Sequence, residues 1–165
     1  MNFELEFRKL SKDDEFPIRK VYEDAVLSIS LNQYTQDQIN SWSALSWVPG
    51  VLDKTIKHGK GWGCFKDGEL EAFSIRYPDS RLALIYCRGR SAREGIGSLL
   101  LKRIENDALN DKQILLETEA SKISYGLFLK FGWKLKSYEK IKIGGIPFKR
   151  YLMQKDLINS FSPTS

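Results

Sequence analysis

Hydrophobic positions along the chain change their spacing several times, and each change marks an element. Phe3, Leu5 and Phe7 alternate with Glu4, Glu6 and Arg8, the spacing of a half-buried strand. Ser11 ahead of Asp13, Asp14 and Glu15 predicts a helix start, because a hydroxyl cap and early carboxylates satisfy the first turn's amides. Ile18, Val21, Tyr22, Ala25 and Ile29 then fall on one helical face. A second helix is expected from Thr35 to about Leu45, with Ile39 and Trp42 as neighbours on its buried side. Pro49-Gly50 breaks the chain, and Val51 to Lys57 reads as a short helical piece.

Beyond this point strands dominate. Trp62 to Phe65 and Leu70 to Ile75 form two, with Asp67-Gly68 as the turn between them. Leu82 to Cys87 are six apolar residues in a row, the signature of a strand buried on both faces. After a basic, glycine-bearing loop, Ile96, Leu100, Ile104 and Ala108 recur at helical spacing. Ile114-Leu115-Leu116 reads as another buried strand, and Ile123, Leu127, Phe128 and Phe131 as a helix stripe ending at Gly132. Trp133 to Ile143 and Ile146 to Met153 close the pattern as a hairpin around Gly144-Gly145. This order implies an α/β fold, a mixed sheet with helices on both faces.

Composition narrows the setting. The 165 residues suit a single domain, expected over 1–157 with a frayed tail at 158–165. A content of 42% hydrophobic and 28% charged residues is that of an ordinary soluble protein, and a reducing, cytoplasmic compartment is expected. No signal peptide is expected from the opening residues, and no apolar run nears the ~20 residues a membrane span needs. Cys64 and Cys87 both lie in apolar strand-like segments, which argues against a disulfide framework or a metal site. The net charge of +5 suits an anionic ligand or a weak nucleic-acid surface. Lys134, Lys136, Lys140 and Lys142 alternate on one strand, a pattern more often that of a solvated sheet face.

The candidate chemistry sits between strand and helix. The first amides of a helix have no internal acceptor, and its dipole favours negative charge there. Gly95 and Gly97 let phosphate oxygens approach the backbone, and Arg88, Arg90 or Arg93 could add charge. Other phosphate motifs fit poorly. A Walker loop needs a lysine after the turn, where Gly97-Ser98-Leu99 has none, and a Rossmann fingerprint wants a glycine where Leu100 stands.

Ala92-Arg93-Glu94-Gly95-Ile96-Gly97 resembles the Arg/Gln-x-x-Gly-x-Gly/Ala loop of the GCN5-related N-acetyltransferase (GNAT) superfamily, with alanine at the first position. Ser121, Ser124, Phe128 and Gly132-Trp133 fall where that family shows Asn-x-x-Ala-x-x-x-Tyr and Gly-Phe. The closing strand through Tyr151-Leu152-Met153-Gln154-Lys155 is similar too. Tyr22-Glu23-Asp24-Ala25 through Tyr34, Gln38, Ile39 and Trp42 resembles the bacterial YafP-like branch.

The resemblance implies a mostly antiparallel sheet of about six to seven strands and acetyl-CoA as co-substrate, with no metal. It places the coenzyme on Tyr86, Cys87, Arg88, Arg93, Glu94, Gly95, Ile96, Gly97 and Ser98, with Ser121 and Phe128 beyond them. The activity it implies is acetyl transfer to a primary amine of a small molecule or a protein, by direct attack on the thioester. The Cys87 amide would serve as oxyanion donor. Phe128 stands at the family's tyrosine, so Tyr125 becomes the candidate acid. Glu117 and Glu119, two apart near the end of a strand, are the carboxylates that could hold or deprotonate the amine, with Glu119 the candidate base. His58, before Gly59, reads as a helix-end residue. Tyr34, Trp42, Trp47 and Trp62 could form an acceptor wall or pack in the core. A homodimer fits the family's habit. The alternatives are an acyl-CoA-binding module with weakened catalysis and, from the lysines, a nucleic-acid-binding domain. No membrane partner is expected.

Overall fold

The computed structural model describes residues 4–158 and is organised around one seven-stranded sheet. Its strands are β1 (Leu5–Lys9), β2 (Lys60–Lys66), β3 (Glu69–Arg76), β4 (Arg81–Cys87), β5 (Leu115–Ala120), β6 (Lys134–Ile143) and β7 (Ile146–Asp156). They lie side by side in the order β1-β2-β3-β4-β5-β7-β6, and only the β4–β5 pair is parallel. The helices are α1 (Glu15–Leu27), α2 (Gln36–Ala44), α3 (Asp53–His58), α4 (Ile96–Asn110) and α5 (Tyr125–Lys130). Phe3 and the tail from Asn159 lie outside the described residues.

Alternation along the strands divides the core in two. Phe73 and Ile75 of β3, with Phe148 of β7, pack under Ile18, Val21, Tyr22 and Val26 of α1 and Ile39 of α2. Ala72 and Leu82 face the other way, against Ile96, Leu100, Leu101 and Ile104 of α4. α1 and α2 therefore cover one face, and α4 and α5 the other. Within the second layer the Lys155 ammonium meets the Glu105 carboxylate at 2.8 Å, and the Trp133 indole donates to the same oxygen at 2.9 Å.

Local chemistry starts and stops these elements as the sequence leads one to expect. Ser11 and Asp14 form a capping box ahead of α1, and Thr35 and Gln38 form another ahead of α2. His58 ends α3, beside its cap Gly59. Gly144 and Gly145 both take positive φ in the β6–β7 turn, which a two-residue hairpin loop of that hand demands.

Four expectations need correction. α1 ends at Leu27, so Ile29 packs on the core from beyond the helix. Ile123 precedes α5 and is exposed. The apolar triplet at Ile114 is not a strand buried on both faces: Ile114 is 62% exposed, and β5 alternates, burying Leu116, Thr118 and Ala120. A β-bulge at Lys136 breaks the lysine alternation, so Lys134 pairs with Gln154 on one face while Lys140 and Lys142 project from the other. The basic stripe is thereby divided on an edge strand, where lysines discourage pairing with other chains.

Candidate functional site

β4 and β5 share only two register positions, Arg81 with Glu117 and Leu82 with Thr118. Beyond Leu82 they part. For that reason β4 is not buried on both faces as its composition suggests; only Leu82 is buried, and Ala83 to Cys87 are half-buried. The Arg88 N–H donates to the Glu71 carbonyl at 2.8 Å, and Tyr86 is in register with Phe73. Because an antiparallel ladder alternates, Tyr86 turns its main chain toward β3, whereas Ile85 and Cys87 turn theirs toward the gap. This corrects the expectation for Tyr86 and adds Ile85. The Tyr86 side chain packs instead on Tyr22, with ring centroids 4.4 Å apart, and burial raises the pKa of both phenols. The Cys87 thiol is pushed up to about 11, by burial first and then by the Glu71 charge.

The loop after β4 ends in the same corner. Arg93 (φ 66°) and Gly95 (φ 83°) are both left-handed, and Gly95 is the residue that caps α4 without a side chain. The Leu99 N–H reaches the Gly95 carbonyl at 3.3 Å as the first bond of the helix. Ile96, Gly97 and Ser98 therefore present main-chain donors outward, in the manner of an anion nest. A Cβ at Gly97 would lie 3.4 Å from Leu127, and none of the neighbouring atoms stands closer.

Arginines around this loop divide by role. The Arg88 Nε donates to the Leu70 carbonyl at 2.9 Å, and its guanidinium lies 3.7 Å from Asp24, so it is turned into the protein. Arg90 is gripped by Glu71 and Glu69. Arg93 is exposed and makes no ion pair among the described residues. Of the three, Arg93 is the cation left for an anionic ligand. The Glu94 side chain is held by Lys66 at 2.8 Å.

Residues expected to form one aromatic wall fall on two sides of the sheet. Tyr34, Trp42, Tyr86 and Phe148 gather on the α1/α2 face, with Tyr34 and Trp42 centroids 5.3 Å apart. Trp62 points to the α4 face, where its indole donates to Asp107 at 2.6 Å and Arg103 lies over its ring. Trp47 packs on Phe16 at the outer edge of α1. Tyr34 is itself buried, and its phenol pKa is raised by that burial against hydrogen bonding from Lys122 and Ser121. The sheet thus removes Trp62 from any acceptor wall.

Beside the gap, Ser121 and Ser124 cap each other, with Ser121 N–H to Ser124 Oγ at 3.1 Å and Ser124 N–H to Ser121 Oγ at 3.2 Å. Phe128 is 1% exposed and meets Trp133 edge-on at 4.9 Å, which makes it a core residue rather than a coenzyme contact. Tyr125 stacks on Tyr151 at 4.5 Å. Glu117 and Glu119 share the outward face of β5, and Arg81 Nε donates to both Glu119 oxygens at 3.0 and 2.9 Å.

Two residues important to the loop were not singled out by sequence. Glu71 is a carboxylate in the middle of an apolar strand run, which is the signal that could have marked it. Asp24 of α1 accepts the Gly89 N–H at 3.0 Å across 65 residues of chain. No helix among the described residues is long and apolar enough to cross a membrane, and none of their His, Cys, Asp or Glu clusters could hold a metal.

A seven-stranded mixed sheet that opens between parallel β4 and β5, with a glycine-capped helix at the opening, is the acetyltransferase fold of the GNAT class. The GNAT acetyltransferase domain family matches residues 30–155, and the chain belongs to it. A GCN5-related N-acetyltransferase from Rhodopseudomonas palustris superposes with a TM-score of 0.86 at 15% identity, over 94% of this chain and 98% of that one. The PaiA N-acetyltransferase from Thermoplasma acidophilum, solved with coenzyme A, gives 0.72 at 19% identity over 93% and 99%. YncA from Salmonella typhimurium, solved with its cofactor acetyl-CoA, gives 0.65 at 16% over 98% and 99%. No curated protein matches the sequence.

Proposed function

We propose that the protein transfers an acetyl group from acetyl-CoA to a primary amine of a small molecule or protein. The observation that carries this reading is the convergence of two main-chain surfaces on one gap. Ile85 and Cys87 offer strand donors and acceptors to an amide-bearing arm, and the amides of Ile96 to Ser98 offer donors to a diphosphate. The family membership and the coenzyme-bound relatives support the same ligand.

Acetyl-CoA supplies a thioester carbonyl. In direct transfer the amine nitrogen bonds to that carbon, the carbon–sulfur bond breaks, and an amide and the CoA thiol result. The Cys87 N–H, turned to the gap, is the donor for the oxyanion, with no charge to reorganise. Tyr22 and Tyr86, whose phenol pKa values burial raises, stay protonated and serve as donors, not bases. Glu119, held by Arg81 through both its oxygens, is the carboxylate assigned to holding the cationic acceptor. Tyr125 is the phenol assigned to protonate the departing thiolate. A thiol pKa near ~8.5 lets that group leave without an acid as well.

Thermal unfolding with acetyl-CoA tests the ligand, and thiol release with a panel of amines tests the reaction. At a hundred times Kd the coenzyme should add about 2.7 kcal/mol. No shift with acetyl-CoA or CoA defeats the reading. Phe128, buried where the family carries a phenol, favours a second one: a coenzyme-binding module with weakened turnover. Binding without thiol release from any amine would select it.

A further inference from the structure

The coenzyme loop rests on a carboxylate. Glu71, 1% exposed in β3, receives the Arg90 Nε at 3.0 Å and a second, close contact from the Arg90 Nη2. It also accepts the Ser91 hydroxyl at 2.7 Å. Lys66 extends the chain of contacts, donating to Ser91 Oγ at 3.1 Å and to Glu94 at 2.8 Å. Burial alone would raise the Glu71 pKa; the bonds from Arg90 and Ser91 and the charges of Arg90 and Arg88 outweigh it, and the group stays ionised. Three of the residues just before Gly95 are thus tied, directly or through Lys66, to one buried charge on the neighbouring strand.

We propose that Glu71 is a positioning residue for the diphosphate of acetyl-CoA, fixing through Arg90, Ser91 and Lys66 the loop whose amides receive it. This rests on the coenzyme reading above. An isolated buried carboxylate beneath an anion site would repel the ligand. Arg90 and Lys66 neutralise it, so what remains is its effect on loop geometry. Arg90 accordingly acts on the coenzyme from below the loop, through Glu71, while Arg93 is the exposed cation on its outer side. A loop no longer held must be ordered when the ligand binds, and the affinity falls by that cost.

Calorimetric titration of the full chain with CoA, and thermal shift with pantetheine, which lacks the diphosphate, separate the possibilities. Glu71→Gln should weaken CoA binding about tenfold, while its pantetheine shift matches that of the unsubstituted protein. Arg90→Gln, at a side chain that is largely exposed, should do the same and carries the test if Glu71→Gln does not fold. CoA binding that is unchanged or tighter in a folded variant overturns the proposal. So does an equal loss for CoA and pantetheine, which marks general destabilisation. If the unsubstituted protein binds no CoA, the coenzyme reading itself has failed.

Discussion

The Asp24 carboxylate of α1 accepts the Gly89 N–H at 3.0 Å, and Ser28, one turn further on, closes against the Gly89 Cα. A Cβ at Gly89 would stand 2.3 Å from Ser28 Oγ and 2.5 Å from Ser28 Cβ. The end of the first helix is therefore built against the start of the loop between β4 and α4, with no room for a methyl group. Gly89→Ala should cost about 1–3 kcal/mol by overpacking. Adding Ser28→Gly should recover part of that loss, and urea unfolding of the two single variants and the double variant measures the coupling.

Gly97 separates fold from ligand binding. It lies within α4, where alanine is favoured over glycine by about 1 kcal/mol, and Leu127 at 3.4 Å can accommodate a methyl group with a small shift. Gly97→Ala should leave the melting temperature equal or higher while weakening acetyl-CoA binding at least about tenfold, because the methyl group stands where a phosphate oxygen would approach. Scanning calorimetry and titration of one sample give both numbers.

The buried pair of Lys155 and Glu105 is costly to break and inexpensive to replace. Lys155→Met leaves Glu105 with only the Trp133 indole among the described residues and should destabilise the fold by about 3–5 kcal/mol. Glu105→Gln combined with Lys155→Met removes both charges, and chemical denaturation should show it well above the single lysine variant.

Acid should release Asp14 from Arg8. Hydrogen bonds from Arg8, at 2.9 Å to each oxygen, outweigh burial and hold its pKa below the ordinary 3.8. A carboxylate with a lowered folded pKa contributes stability that is fully present above its unfolded value and lost as pH falls through the folded one. Stability should therefore decline below about pH 4. Asp14→Asn should cost about 1–2 kcal/mol at pH 7 and flatten that acid limb in denaturation curves taken from pH 7 downward.

With its pKa at about 11, the Cys87 thiol is almost wholly protonated at pH 8. Iodoacetamide should label it roughly two orders of magnitude more slowly than a free cysteine thiol, and the rate should keep rising past pH 10. Peptide mass spectrometry over a pH series reads the rate. Labelling at the free-thiol rate would contradict the burial described for β4.

Much of the fold could be read directly along the chain. The capping boxes at Ser11 and Thr35, the Gly144-Gly145 turn and the 3.6-residue spacing of α4 are local, and local physics fixes them. The glycine loop was legible as a candidate anion site because the helix's first amides and the left-handed Gly95 that caps it act over a few residues. Sheet partners were less so. Leu82 to Cys87 and Ile114 to Leu116 have the composition of strands buried on both faces, yet β4 parts from β5 beyond Leu82 and β5 exposes alternate residues.

By itself the sequence determined the elements, their order, and the strand–loop–helix junction that carries the family signature. Tertiary structure decided which side chains meet across long separations: Trp62 on the far side of the sheet from Tyr34, Phe128 in the core, and Glu71 and Asp24 bracing the loop. Propensity and periodicity act between near neighbours along the chain. Strand splay, a bulge such as that at Lys136, and the pairing of a buried carboxylate depend on which strands lie adjacent, and that is settled only when the sheet closes on its helices.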